Sequence, residues 1–343
     1  MSAATEPATP LPRPALQIDA LRYRALRQLT KQHNGDLFFA AYFLPKSHRY
    51  ALWSLDALRR QLEDILGCPQ TKTGRPPATA GSCGAAGCSE GGCEGESIDT
   101  RRGVCLSVID HLYNKLDTGK PELDAFLQVR PAFDLPRSLL DEWIQGASAE
   151  RTLPRYATWK RLNEVLAGTG GAPAMLMAHV LAAAPASLES PTVQGQIQAW
   201  GAAMRFISIL ENAGSDFKAG RLMLPLDDLI KAGLSEQAVG RFAEAGTTGG
   251  DERWMALMTA MLDRIRNLLR GGARSLAIIT HAGTRRAVAA LSVFAYDRLQ
   301  RLMKAGGDPF ATRITTSTWR RIRLMPRAAR LALEPERAAD VFV

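Results

Sequence analysis

No run of 18 apolar residues occurs anywhere in this chain, which excludes a hydrophobic membrane-spanning helix. Val, Ile and Thr rarely alternate with polar residues, so half-buried strands have little support. Paired C-x-x-C ligands are absent. Cys68, Cys83, Cys88 and Cys93 follow the spacing C-x14-C-x4-C-x4-C, which does not suit a tetrahedral zinc site, and Cys105 stands apart. There is no G-x-x-x-x-G-K-[ST] phosphate loop, no zinc finger and no RNA-recognition signature, so nucleic acid is not a favoured partner. An odd cysteine count with no secretory signal predicts a reducing cytoplasmic setting.

What is present is a helix-forming chain. Its 343 residues are 46% hydrophobic and 22% charged, enough to bury a sizeable core in one large domain or two ordinary ones. Ala, Leu and Arg are abundant, which favours helix. The net charge of +9 suits anionic lipid or phosphorylated small molecules.

One stretch organises the rest: Ala199–Pro225, AWGAAMRFISILENAGSDFKAGRLMLP. At about 100° per residue, Trp200, Ala203, Met204, Ile207 and Leu210 share one face. Arg205, Ser208, Asn212 and Asp216 share the opposite one. The pattern predicts a helix ending near Lys218–Gly220, with Gly220 as its cap, and then an exit segment closed by Pro225. Two readings of the polar row stay open. It is the solvated face of a surface helix, or a row of oxygen donors suited to a hard cation such as Mg²⁺.

This stretch resembles the second signature of the squalene/phytoene synthase family, roughly GxAxQxTNxxRDxxEDxxxGRxYLP. Gly201, Ala203, Asp216, Gly220, Arg221, Leu224 and Pro225 match it. Asn212 replaces the first aspartate, while Arg205, Ser208 and Glu211 stand at the family's Gln, Asn and Arg. Residues 46–66 resemble the first signature, RxAxWALYAFCRxxDDxxD, through Arg49, Ala51, Trp53, Leu55 and Ala57. Arg60 matches the family's diphosphate-contacting arginine, Glu63 the first metal aspartate and Asp64 the adjacent acid. Gly67 stands at the last aspartate and Asp56 at the tyrosine. Taken alone, RRQLED is an ordinary salt-bridged helix surface.

The resemblance extends over roughly residues 20–324. His33, Ala40, Leu44 and Pro45 keep the frame of H-x-x-S-F-x-x-A-x-x-L-L-P, with Asp36 at the serine and Leu37 at the phenylalanine. In the expected central helix 159–184, Ala167, Gly168 and Gly171 match AGxxG, and Leu162-Asn163-Glu164 replaces an aromatic Y-x-Y. A Glu164 facing an apolar cavity would be costly unless paired, and a surface position is the alternative. Tyr296 matches a family tyrosine, while Gly306, Asp308, Pro309, Phe310, Arg313 and Ser317 match the closing G-Y-D-P-F-x-x-R-V-x-V-S. Residues 313–330 hold six arginines and no acid, which fits anionic lipid, a phosphate-binding wall or a solvated basic helix.

The resemblance implies an all-α fold, an isoprenoid-synthase-type antiparallel bundle around an apolar cavity. The expected layout is a tail over 1–18, one domain over 19–330 with a flexible Cys- and Gly-rich insertion at 68–102, and a tail over 331–343. It implies Mg²⁺-assisted ionisation of a prenyl diphosphate and transfer to a second one, or to another acceptor. Asp56, Glu164 and Glu211 would make the pocket acid-rich, which suits a cationic amine acceptor. The implied metal ligands are Glu63, Asp64, Ser208, Asn212 and Asp216, with Asp216, Glu63 and Asp64 as the catalytic set. The implied substrate contacts are His33, Asp56, Arg60, Glu164, Arg205, Arg221, Tyr296 and Arg313. A catalytically inactive relative serving in binding or assembly is the alternative. Peripheral contact with the inner face of a membrane fits the basic charge, and the sequence carries no signal of oligomeric state.

Overall fold

The computed structural model describes residues 16–67, 97–153, 155–182, 188–279, 281–311 and 314–334. Cys68, Cys83, Cys88, Cys93 and Arg313 lie outside them, as does most of the expected insertion. Its last residues, 98–102, are instead the first turn of a helix capped by Ser97, whose hydroxyl accepts from the Thr100 N–H.

Helices α1 (Ala20–His33), α2 (Gly35–Ala41) and α3 (Lys46–Ile65) open the fold. Asn34 breaks the first from the second. It ends α1 and turns its side-chain oxygen to the Leu37 N–H to start α2. Helices α4 (Ile98–Tyr113), α5 (Pro121–Ala132) and α6 (Arg137–Thr152) follow, then a short strand β1 (Arg155–Tyr156). The expected single helix over 159–184 is α7 (Trp159–Leu166) and α8 (Ala172–Leu181), joined by a wider π-type turn over Ala167–Gly171. Pro173 has no N–H to offer the carbonyl of Thr169, and the Ala172 N–H reaches Ala167 instead, five residues back.

The long α9 (Pro191–Lys218) is the axis of the molecule. It packs on α12 (Glu252–Ile278), on α8 and the π-type turn, and on α13 (Ala282–Lys304). Its exit segment is not loop but strand β2 (Leu222–Pro225), parallel to β1, with Arg155 opposite Leu222 and Tyr156 opposite Pro225. Gly220, at φ +80°, makes the turn between helix and strand. The short α10 (Leu226–Lys231) and α11 (Glu236–Ala245) precede α12, and α14 (Thr318–Leu333) packs on α13 and α2. Helix α12 runs unbroken over its 27 residues. Its interior Gly272 lies against the backbone of Trp200, where a Cβ would sit 2.5 Å from the tryptophan's own Cβ.

Two further glycine contacts set the distances around α9. A Cβ on Gly168 would come within 2.9 Å of Gly146 on α6, and one on Gly170 or Gly201 would overlap the other's carbonyl oxygen. The small residues of the AGTGG segment therefore serve close helix approach.

Candidate functional site

The polar row of α9 is not a solvated face. Asp216 is 3% exposed, and Arg205, Ser208 and Asn212 are half-buried. Asp216 accepts from Arg221 at 2.5 Å, across the helix end that Gly220 turns. Asn212 turns its amide nitrogen back to the Ser208 carbonyl, 2.7 Å away. Arg205 pairs with Glu150 of α6.

On α3, the first signature closes on itself. Asp56 is 4% exposed, and its Oδ1 accepts from Asn34 Nδ2 at 2.8 Å and from Arg59 Nη2 at 3.1 Å. The Nη1 of Arg59 lies 2.6 Å from both oxygens of Glu63. One guanidinium thus bridges Asp56 and Glu63, spaced one and two turns along the same helix face. Both carboxylates hold the Arg59 charge in place and push its pKa above the ordinary arginine value, against the opposing effect of burial. Arg59 is absent from the expected contacts. The signal was readable, because the first signature has cysteine at this position, directly before the matched Arg60.

The junction of α1 and α2 ties the two signature helices together. Asn34 holds Asp56 of α3, while two residues on, Asp36 pairs with Arg298 of α13 and with Arg321 of α14, the latter at 2.7 Å. Arg298 also donates to Glu211 of α9 at 2.7 Å. Asp36 and Glu211 are the residues that replace the family's serine and arginine. Each pairs with Arg298, and Asp36 with Arg321 as well.

The remaining expected contacts are distributed unevenly. His33 is the last residue of α1, next to Asn34. Arg60 is half-buried on α3 within electrostatic reach of Asp64, which is exposed at the end of that helix. Tyr296 is buried on α13 and hydrogen-bonds Arg266 of α12. Glu164 does not line an interior. It sits on the exposed side of α7, paired with Arg161 one turn away at 2.8 Å, because the buried stripe of that helix runs through Leu162, Val165 and Leu166. Tyr156 went unassigned in the sequence. Its ring is fully buried in β1, its hydroxyl has no hydrogen-bond partner among the described residues, and Glu150, Arg205 and Arg221 lie within electrostatic reach.

The donors do not fit a multi-metal cluster as arranged. Among the described residues no three of His, Cys, Asp and Glu come together to hold a metal ion. Glu63 and Asp216 are engaged by arginines, and Gly67 and Asn212 stand where carboxylates would be needed. What the arrangement offers is guanidinium groups, which hold phosphate oxygens through paired N–H donors.

Comparison with known proteins places this site in a family. The model described as squalene/phytoene synthase matches residues 30–321. A phytoene synthase of Arthrospira platensis is 23% identical over 331 residues, 92% of this chain and 94% of that protein. The 15-cis-phytoene synthase of Synechocystis sp. is 22% identical over 267 residues, 74% of this chain and 68% of that one. A crystal structure of a dehydrosqualene synthase with ligand superposes with a TM-score of 0.73 at 15% identity, covering 92% of this chain and 97% of its own. Squalene synthase HpnC from Alicyclobacillus acidocaldarius gives 0.64 at 14% identity, over 83% and 94%. These structural likenesses carry the fold, an all-α isoprenoid-synthase bundle. Motif frame, bundle and a match over most of the length agree, and the chain belongs to the squalene/phytoene synthase family.

Proposed function

We propose that this chain is a transferase acting on two prenyl diphosphates, coupling them head to head. The observation that carries this reading is the pairing of the new acids with arginines. Asp36 and Glu211 share Arg298, and Asp56 and Glu63 share Arg59. An acid-rich pocket would have favoured a cationic amine acceptor. Neutralised carboxylates remove that preference, and a second polyanionic substrate meets guanidinium groups rather than bare acids. In the reaction, the C–O bond of the allylic diphosphate breaks and its electron pair leaves with the diphosphate. The alkene of the second substrate attacks the resulting cation, and loss of a proton closes a cyclopropane that still carries the second diphosphate. That C–O bond breaks in turn, the electron pair leaves with the second diphosphate, and ring opening with loss of another proton gives the hydrocarbon. Arg60 and Arg221 are the groups assigned to the departing negative charge, where fixed donors act most strongly.

The test is incubation with C10, C15 and C20 prenyl diphosphates, each with Mg²⁺ and with a chelator. Released diphosphate and product mass are the readouts. A hydrocarbon built from two donors supports the proposal, and a prenylated amine would replace it with the amine-acceptor reading. Engagement of both Glu63 and Asp216 by arginines favours a second reading, an inactive relative that binds prenyl diphosphate without turning it over. Tight binding with no diphosphate released from any donor would establish that one.

A further inference from the structure

Helix α14 carries two opposed faces, and among the described residues only one of them packs on the fold. Arg320 donates to both oxygens of Asp297 at 2.7 Å, and Arg321 to Asp36 at 2.7 Å. Leu324 and Met325 pack on the core, and Ala328, Leu331 and Ala332 are buried. At 100° per residue these inward positions fill an arc of about 140°, from Arg320 round to Met325. Two ion pairs and the packed side chains therefore fix how the helix is rolled on its long axis.

The opposite arc is exposed and has an order of its own. Trp319 is 81% exposed, Ile322 47% and Leu333 69%, and Pro326 lies between them on the same side. Arg323, Arg327 and Arg330, also exposed, form the adjoining edge. No acid lies between Thr318 and Leu333. A stripe of tryptophan and aliphatic side chains bordered by arginines is the composition of a helix lying in the plane of a membrane interface. The indole takes the headgroup level, aliphatic side chains reach the acyl boundary and arginines meet lipid phosphates. Among the described residues no helix is long and apolar enough to cross a membrane, so such contact is with one surface.

We infer that the outward face of α14 docks on an anionic lipid bilayer through Trp319, Ile322, Pro326 and Leu333, with Arg323, Arg327 and Arg330 binding lipid phosphates. Charge complementarity selects this occupant: three cations beside a large exposed aromatic, in a chain of net charge +9. The same helix reaches the candidate site from its inner side, where Arg321 holds Asp36 and Asp36 holds Arg298. Lipid contact and the polar network of the site are thus two faces of one rigid element. The inference stands apart from the proposed reaction, because docking is read without substrate.

The experiment uses the full chain with phosphatidylcholine vesicles containing either no phosphatidylglycerol or a large fraction of it. Co-sedimentation is expected only with the anionic vesicles and falls with added salt. Replacing Arg323, Arg327 and Arg330 together by glutamine is expected to weaken partitioning by about a hundredfold, at about fivefold per charge near the surface. Circular dichroism and the melting temperature check that the variant is folded. Should it fail to fold, brominated lipid decides with a milder change: it quenches tryptophan emission in the natural chain, and Trp319→Phe removes that part of the quenching. Equal binding to neutral vesicles, no binding to either, or quenching that survives Trp319→Phe overturns the inference. So does preferential binding of a duplex oligonucleotide at equal salt, which would make the stripe a nucleic-acid surface. A dimer in sedimentation velocity that Trp319→Arg dissociates would assign the face to a second copy and overturn it too.

Discussion

Arg59 decides how the first signature is held, because its guanidinium lies between the Asp56 and Glu63 carboxylates and offsets their charge. Replacing it by methionine leaves the buried Asp56 carboxylate with the neutral Asn34 amide and no counter-charge, and this is expected to destabilise the fold by about 1.5–3 kcal/mol, measured by denaturant unfolding. It also releases Glu63. Binding of a prenyl diphosphate to Arg59→Met is therefore expected to depend on Mg²⁺ more strongly than binding to the natural chain, as read by titration calorimetry with and without a chelator. At Arg60, alanine is expected to weaken prenyl diphosphate binding by about 1.5–3 kcal/mol, the range for one charged hydrogen-bonding partner. Unchanged affinity would remove Arg60 from the site. His48 gives the pH dependence. It is 1% exposed, edge-on to Phe133, and burial, with His281 adding, lowers its pKa to about 4. The folded chain holds it neutral, while the unfolded chain takes up a proton near 6.5. Its contribution is thus complete above pH 6.5 and is lost progressively as the pH falls toward 4. A melting series over that window is expected to fall less steeply for His48→Phe, and identical slopes would refute the assignment. At this scale the motif frame marked Asp216 and Arg221, which the structure brings together in one ion pair. The sequence was not readable for partners. Nothing in a linear pattern says that Asp36 meets Arg298, 262 positions away.

Helices and their joints follow a different logic. The apolar stripe of α9 and the glycine beyond it mark the end of that helix close to where it stands, since local periodicity and local hydrogen bonds produce both signal and structure. The π-type turn has no such signature, since it lies in a glycine-rich run that two other helices approach closely. Strand β2 was likewise read as an exit segment. Its partner β1 lies earlier in the chain, with Arg155 opposite Leu222, and a four-residue run has no periodicity to distinguish it. Gly201→Ala tests the close approach. The added methyl would overlap the Gly170 carbonyl, so a loss of about 1–3 kcal/mol is expected, seen as a shifted unfolding midpoint with helicity retained. A neutral Gly201→Ala would mean that α9 and the π-type turn can part freely.

For the molecule as a whole, Arg298 is the point where several elements meet, since its guanidinium serves Asp36 of α2 and Glu211 of α9 from α13, and Asp36 in turn serves α14. Arg298→Met takes a shared guanidinium from Glu211 and from Asp36, which keeps Arg321, both carboxylates being less than 15% exposed, and a loss of about 3 kcal/mol is expected in the full chain. Adding Asp36→Ser and Glu211→Arg, the residues of the family pattern, is expected to recover part of that loss. No recovery would show that the exchange of charges is incidental. The sequence by itself determined the helical class, the two signature helices, the retained arginines and the loss of metal-type acids, because periodicity, composition and motif frame are local properties of a chain. Only the tertiary structure decided that the polar row of α9 is buried, that Glu164 faces solvent, and that the acids gained at positions 36, 56 and 211 are neutralised. The physical reason is that an ion pair's worth depends on distance and burial, and both are set by elements that approach one another only after the chain has folded.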